Sequence, residues 1–256
     1  MSAAVHRLSS DAEAQEWRLR CEMAAVFRIA ARLGWNEQIG NHNSLMLPTD
    51  GNGDRPLFLI NPRGYRFEEL TASSLIVCDM SGEVVRGKGE LRKVAFHIHV
   101  PIHLRNPNAA CIIHVHPQYL TALGMLRNPE FALAHYNNLF LNDRVAIDVG
   151  GQSPVSDLSE GDRIANLLGE RTILLMASHG VTVVGRTVAD AFDECFLAER
   201  TAMYQVTAMS TGQPLRQLPE AGRRRNNGPW GEMIDSELHL AAWRRILDRE
   251  EPDYAS

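Results

Sequence analysis

No Cys-x-x-Cys pair occurs in this sequence, and its four cysteines, Cys21, Cys78, Cys111 and Cys195, lie far apart. That spacing excludes the common paired-thiol metal and redox motifs. A chain of 256 residues also needs no disulfide staples to bury a core, so four reduced thiols are expected. No window approaches the ~20 apolar residues of a membrane-spanning helix. Arg7, Asp11, Glu13, Glu16, Arg18 and Arg20 break up the N-terminal region, which excludes the apolar segment of a secretory leader there and makes the cytoplasm the expected location. Positive charge is not in excess either. The formal net charge of −5 gives no general attraction to nucleic acid or to an anionic membrane, so neither is an expected partner and any anion must be held locally.

What is present reads as alternating structure without an internal repeat. Ser10 to Glu13 has capping-box spacing, and Leu19, Met23, Val26, Phe27 and Ala30 follow at helical intervals up to Gly34. Strands are expected at 44–47 and 56–60 around the turn residues Asp50 to Asp54, and at 74–79 and 83–85 around Ser81-Gly82. Helical periodicity from Leu91 to Arg105 must accommodate Pro101. Strands at 110–115, 144–149, 172–177 and 181–184 alternate with helices at 117–126, 159–168 and 187–210. This order predicts one α/β domain with a mixed sheet over residues 1–212. Residues 213–231, rich in Pro, Gly, Arg and Asn, read as a linker or arm that includes Arg223-Arg224-Arg225. Residues 232–256 read as a terminal helix that packs on its own domain or on a neighbouring subunit.

Three histidines stand out. His114 and His116 are two apart at the end of an apolar strand, so their imidazoles point to one side. His179 stands at the end of another apolar strand, before Gly180. Neutral imidazoles are good ligands for Zn²⁺, Mn²⁺ or Fe²⁺, and three of them leave coordination positions open to a substrate.

Three stretches in order, Asn61-Pro-Arg-Gly-Tyr-Arg-Phe-Glu-Glu-Leu70, His99-x3-His103-x3-Pro107-x6-His114-Val-His116 and Leu174-Leu-Met-Ala-Ser-His179-Gly180, resemble the class II aldolase/adducin family over about residues 15–212. The resemblance implies a single-domain α/β/α layered fold with a central mixed, largely antiparallel sheet. It also implies one divalent metal ion (Zn, Mn or Fe(II)) on His114, His116 and His179, a small anionic substrate, and a homo-oligomer, commonly a tetramer.

One departure bears on the reaction. Sugar-phosphate members carry a Ser-Ser-Glu element whose Glu is the acid/base, and along the resemblance Lys93, Val94 and Ala95 fall on those positions. Glu90 is the nearest acid, a replacement only with a shifted register. The family's phosphate turn becomes Asn61-Pro62-Arg63-Gly64, and a phosphate-site asparagine becomes His42. Arg63, Gly64, His42 and Lys93 are therefore candidates for binding a carboxylate, for which a guanidinium offers a bidentate fork. The competing readings are a solvated turn for Arg63, a surface helix position for Lys93 and a structural hydrogen bonder for His42. His99 shares a helix face with His103 and is a candidate for proton transfer or for packing beneath the metal strand. Tyr119 is a candidate proton donor or a packing aromatic.

Three functions fit these residues: a lyase that decarboxylates a hydroxylated, possibly aromatic, carboxylic acid, with retro-aldol cleavage ranked below it; a non-heme Fe(II) oxygenase acting on a hydroxyaromatic acid; and an adducin-like binding module without catalysis.

Overall fold

A computed structural model describes residues 10–48, 55–141, 143–150, 157–219 and 235–256. The reversal expected at Asp50–Asp54 and the arginines at 223–225 lie outside the described residues. Helix α1 spans Ser10–Arg32, followed by strands β1 (His42–Met46), β2 (Leu57–Ile60), β3 (Ile76–Asp79) and β4 (Val84–Arg86). Helix α2 (Lys93–Arg105) leads into β5 (Cys111–Val115), then α3 (Gln118–Gly124), a short α4 (Asn138–Leu141), β6 (Val145–Asp148) and α5 (Leu158–Leu168). Strands β7 (Ile173–Met176) and β8 (Gly180–Gly185), the long α6 (Val188–Met209) and α7 (Ser236–Glu250) complete the order.

The eight strands form one sheet in the order β4-β3-β2-β1-β5-β8-β7-β6. Every described pairing is antiparallel except β6 with β7, so the sheet is mixed and largely antiparallel, as expected. Strand alternation sorts the side chains. Cys111, Ile113 and Val115 join the core cluster under α1, α3, α6 and α7, while Ile112 faces a second cluster with Ile98 and Ile102 of α2 and Ile164 and Leu168 of α5. His114 therefore projects on the α2 side of the sheet.

Pro101 lies inside α2 without breaking it. A proline there leaves the carbonyl of His97 without its intrahelical partner. Gly161 of α5 fills that place, since a Cβ on it would fall 1.8 Å from the His97 oxygen. The two helices can thus cross closely under β5.

The terminal segment is integrated into the domain. Leu240, Leu247 and Tyr254 are buried in the main core. Arg28 of α1, itself buried, donates to Leu70 O, Glu251 Oε2 and Asp253 Oδ2. All four cysteines are free and buried, and burial pushes the Cys78 thiol up to about 12, which keeps it protonated and inert. No helix among the described residues is long and apolar enough to cross a membrane.

Candidate metal centre

His114 is the penultimate residue of β5, His116 follows the strand, and His179 sits in the tight turn between β7 and β8. Ser178 adopts φ 56°, and this left-handed residue swings His179 back over the sheet end. Pairing of β5 with β8 sets His114 opposite Thr182, so both histidine-bearing segments end at the same edge of the layer. The ring centroids lie 5.3, 5.0 and 4.8 Å apart, and one ligand nitrogen from each ring falls within 4.8 Å of the other two. Gly180 makes this approach possible: a Cβ there would stand 2.4 Å from His116 Cδ2 and 2.7 Å from Val115 O.

Hydrogen bonds settle which nitrogens face inward. Glu37 Oε2 lies 2.7 Å from His116 Nδ1, and a carboxylate can only accept, so Nδ1 carries the proton. In the neutral ring His116 Nε2 is then a bare lone pair, buried and without a hydrogen-bond partner among the described residues. His114 Nδ1 is engaged by Thr182 Oγ1 at 3.1 Å, and that hydroxyl can accept from it while donating to Met176 Sδ, an arrangement that leaves His114 Nε2 free for a ligand. Burial first, then the neighbouring imidazoles, hold His114 well below the usual histidine range and also lower His179. Neutral rings with inward lone pairs are what a divalent cation requires, and a buried nitrogen without a partner is costly unless something binds it. These residues fit a metal, with Glu37 and Thr182 as the partners that orient the ligands.

The remaining candidates are spread around this cluster. His42 pairs in register with His114 and stacks on its ring at 4.7 Å. His99 is wholly buried and does not reach the open side; its two ring nitrogens contact His42 Nδ1 and Ser44 Oγ. Arg63 and Glu90 are exposed on adjoining loops, their charged groups 3.7 Å apart. Gly64 takes φ 94°, the left-handed geometry that the turn needs. That turn is fastened beside His42: Asn61 Oδ1 accepts from Asn43 N at 3.1 Å, and Asn43 Oδ1 accepts from His114 N at 3.1 Å. Tyr119 is half-buried against the main core, and its backbone N–H donates to Glu199. Lys93 is exposed at the start of α2. The neighbouring Arg92, which sequence reasoning missed, donates to Ile39 O and is near enough to help lower His42. Glu37, Ser44 and Thr182 were missed as well; no spacing in the sequence marks them, because each meets its histidine only across the sheet or a loop. Ala95, where the family's acid/base would stand, is fully buried in an apolar cluster with Phe58, Ile60, Ile76 and Cys78. The structure thus puts an apolar contact where the resemblance puts a carboxylate facing the metal.

The profile of the Class II Aldolase and Adducin N-terminal domain matches residues 21–206. The chain belongs to this family. It is 33% identical to a Caulobacter vibrioides protein named for aldolase class 2, over 94% of this chain and 93% of that one. It is 30% identical to human beta-adducin over 78% of this chain, which spans only 27% of that longer protein. Among solved structures, an aldolase II superfamily protein from Pseudomonas syringae superimposes with a TM-score of 0.87 at 27% identity, over 100% of both chains. The fold is therefore that of the class II aldolases, and the family combines lyase-type enzymes with adducins.

Proposed function

We propose that the protein is a metal-dependent carbon–carbon lyase that decarboxylates a small hydroxylated carboxylic acid. The observation that carries this reading is the pairing of a ligand-competent histidine cluster with a family acid/base position that is apolar and buried. His114, His116 and His179 hold one divalent ion of the Zn, Mn or Fe(II) type. Such an ion, when bound, supplies Lewis acidity that polarises substrate oxygens and stabilises the electron pair left by the departing carbon. The chain's own residues do the rest. Arg92, and Arg63 on its exposed turn, supply guanidinium groups for a carboxylate. Glu37 keeps the His116 ring in place while the substrate enters. Decarboxylation requires no base to take a hydroxyl proton before the bond breaks, only a proton from water or a neighbouring side chain for the carbon that carbon dioxide leaves, so loss of the carboxylate at Ala95 weighs least on this reaction and most on retro-aldol cleavage. A cytoplasmic homo-oligomer, a tetramer by analogy with the family, is part of the proposal.

The test is metal content and turnover. His114→Ala, His116→Ala and His179→Ala are each expected to lose most bound metal and nearly all activity while remaining folded, measured by elemental analysis and circular dichroism. Full metal occupancy in any two of them would overturn the assignment. Wild-type protein loaded with Zn²⁺ or Mn²⁺ should release carbon dioxide from a hydroxylated aromatic acid without oxygen. Oxygen uptake with Fe²⁺ would favour the oxygenase, and efficient cleavage of L-fuculose 1-phosphate would favour an aldolase. A protein that takes up no metal would be a binding module.

A further inference from the structure

Between α2 and the sheet runs a chain of buried hydrogen bonds that leads away from the histidine cluster. His42 Nδ1 meets His99 Nε2 at 2.8 Å, His99 Nδ1 meets Ser44 Oγ at 2.5 Å, and Ser44 Oγ meets His103 Nε2 at 2.8 Å. The far end is His103 Nδ1, 2.7 Å from Ala109 O. A backbone carbonyl can only accept, so this last contact fixes the direction of all the others. His103 Nδ1 must carry the proton, and in a neutral ring its Nε2 must then accept. Ser44 spends its single hydrogen on that nitrogen, so its oxygen accepts from His99 Nδ1–H. His99 Nε2 then accepts from His42 Nδ1–H, and His42 Nε2 is left without a proton. Burial supports neutrality: His42 and His99 are almost wholly enclosed, and burial lowers His103 to about 4.

His42 lies at the near end, stacked on His114. It does not join the three residues whose ligand atoms converge. No hydrogen bond to its Nε2 occurs among the described residues. We infer that the Ala109 carbonyl sets, through His103, Ser44 and His99, the tautomer in which His42 turns a bare Nε2 toward the metal centre, and that this nitrogen accepts the hydrogen bond of a substrate hydroxyl.

An acceptor at this point reverses the role that the sequence pattern implies for His42. A lone pair repels carboxylate and phosphate oxygens, so His42 reads the hydroxyl of the substrate and leaves its anion to the arginines. His99, His103 and Ser44 are positioning residues that act only through His42. Neutral tautomers also place no positive charge next to a bound cation. The substrate half of the inference rests on the metal reading above; the tautomer half does not.

The full-length chain with ¹⁵N-labelled histidine, first free of metal, tests the tautomer by NMR. The His42 ring is expected to show a protonated Nδ1 and an unprotonated Nε2; a protonated Nε2 would overturn the inference. Ser44→Ala cuts the chain and is expected to give mixed tautomers at His42. An unchanged tautomer in that folded variant would show that the carbonyl does not set it, and if the variant fails to fold the wild-type spectrum still decides. With Zn²⁺ bound, glycolate and methoxyacetate present the same carboxylate, but a methyl group replaces the hydroxyl hydrogen in the second. Glycolate is expected to bind about 10-fold or more tightly, because the ether leaves the acceptor unpaired. His42→Ala should abolish that preference. Equal affinity for the two probes in wild type would overturn the hydroxyl assignment. Failure to bind zinc would sink the metal reading alone, since the metal-free spectrum reads the tautomer independently.

Discussion

The carboxylate of Glu37 accepts the Nδ1 proton of His116 at 2.7 Å, although the two residues are 79 positions apart in the chain. Glu37 is 68% exposed at its side chain, so the contact contributes little to folding. Its consequence is orientation: it fixes one tautomer and raises the basicity of the nitrogen that faces the proposed metal site. Glu37→Ala is expected to weaken metal binding by ~10–100-fold with little change in melting temperature. Competition against a chromophoric chelator measures this, and unchanged affinity would reduce the contact to a surface pair.

Ala95→Glu places a carboxylate in a fully buried apolar cluster rather than at the histidine triad. Restoring the family's residue is therefore expected to cost stability, on the order of 2–7 kcal/mol for an unpaired buried polar group. No aldolase activity should appear. Urea unfolding checks the first expectation, and a folded variant that cleaves L-fuculose 1-phosphate would contradict the second.

Glu199 of α6 carries a pH dependence. Its carboxylate accepts from the backbone N–H groups of Tyr119 and Leu120 at the start of α3, yet burial outweighs those bonds and raises it to about 7 from an ordinary value of 4.5. Between these two values the unfolded chain has released a proton that the folded chain keeps, so stability falls as pH rises through the window and levels off above about 7. Glu199→Gln cannot ionise. Wild type should therefore lose stability relative to this variant from pH 4.5 to 7.5, by an amount on the order of 1–3 kcal/mol. Urea unfolding of metal-free protein at both pH values checks it; a constant difference would mean that Glu199 stays charged throughout.

Removal of residues 235–256 takes away Leu240, Leu247 and Tyr254 from the core and leaves the buried Arg28 without Glu251 and Asp253. An unpaired buried guanidinium and a stripped apolar face are both destabilising. The truncated chain is expected to melt well below the full chain or to aggregate, as calorimetry and light scattering would show. Native melting behaviour would prove the segment a dispensable appendage.

Much of the fold was legible because strand and helix periodicities are local. The run ending at Val115 and the pattern from Thr187 onward gave β5 and α6 to within a few residues, and Pro101 proved compatible with one continuous helix. The short helix Asn138–Leu141 was not expected, since four residues carry too little periodicity to register. The histidine triad was also readable: alternation puts His114 and His116 on one side, and His179 ends a neighbouring run.

By itself the sequence determined the order of the longer elements, the family and the three residues able to hold a metal, since each depends on residue type at short spacing or on motifs met in order. Tertiary structure alone decided the surroundings of those residues. It brought Glu37 to His116 and Thr182 to His114, and made Arg92 rather than Lys93 the neighbour of His42. It also turned Ala95 into a core and set His42, His99, Ser44 and His103 in line. These contacts depend on which strands pair and on how α2 rotates over the sheet. That rotation is fixed by burial summed over the whole interface, including Gly161 beneath His97, and no spacing within any one segment encodes it.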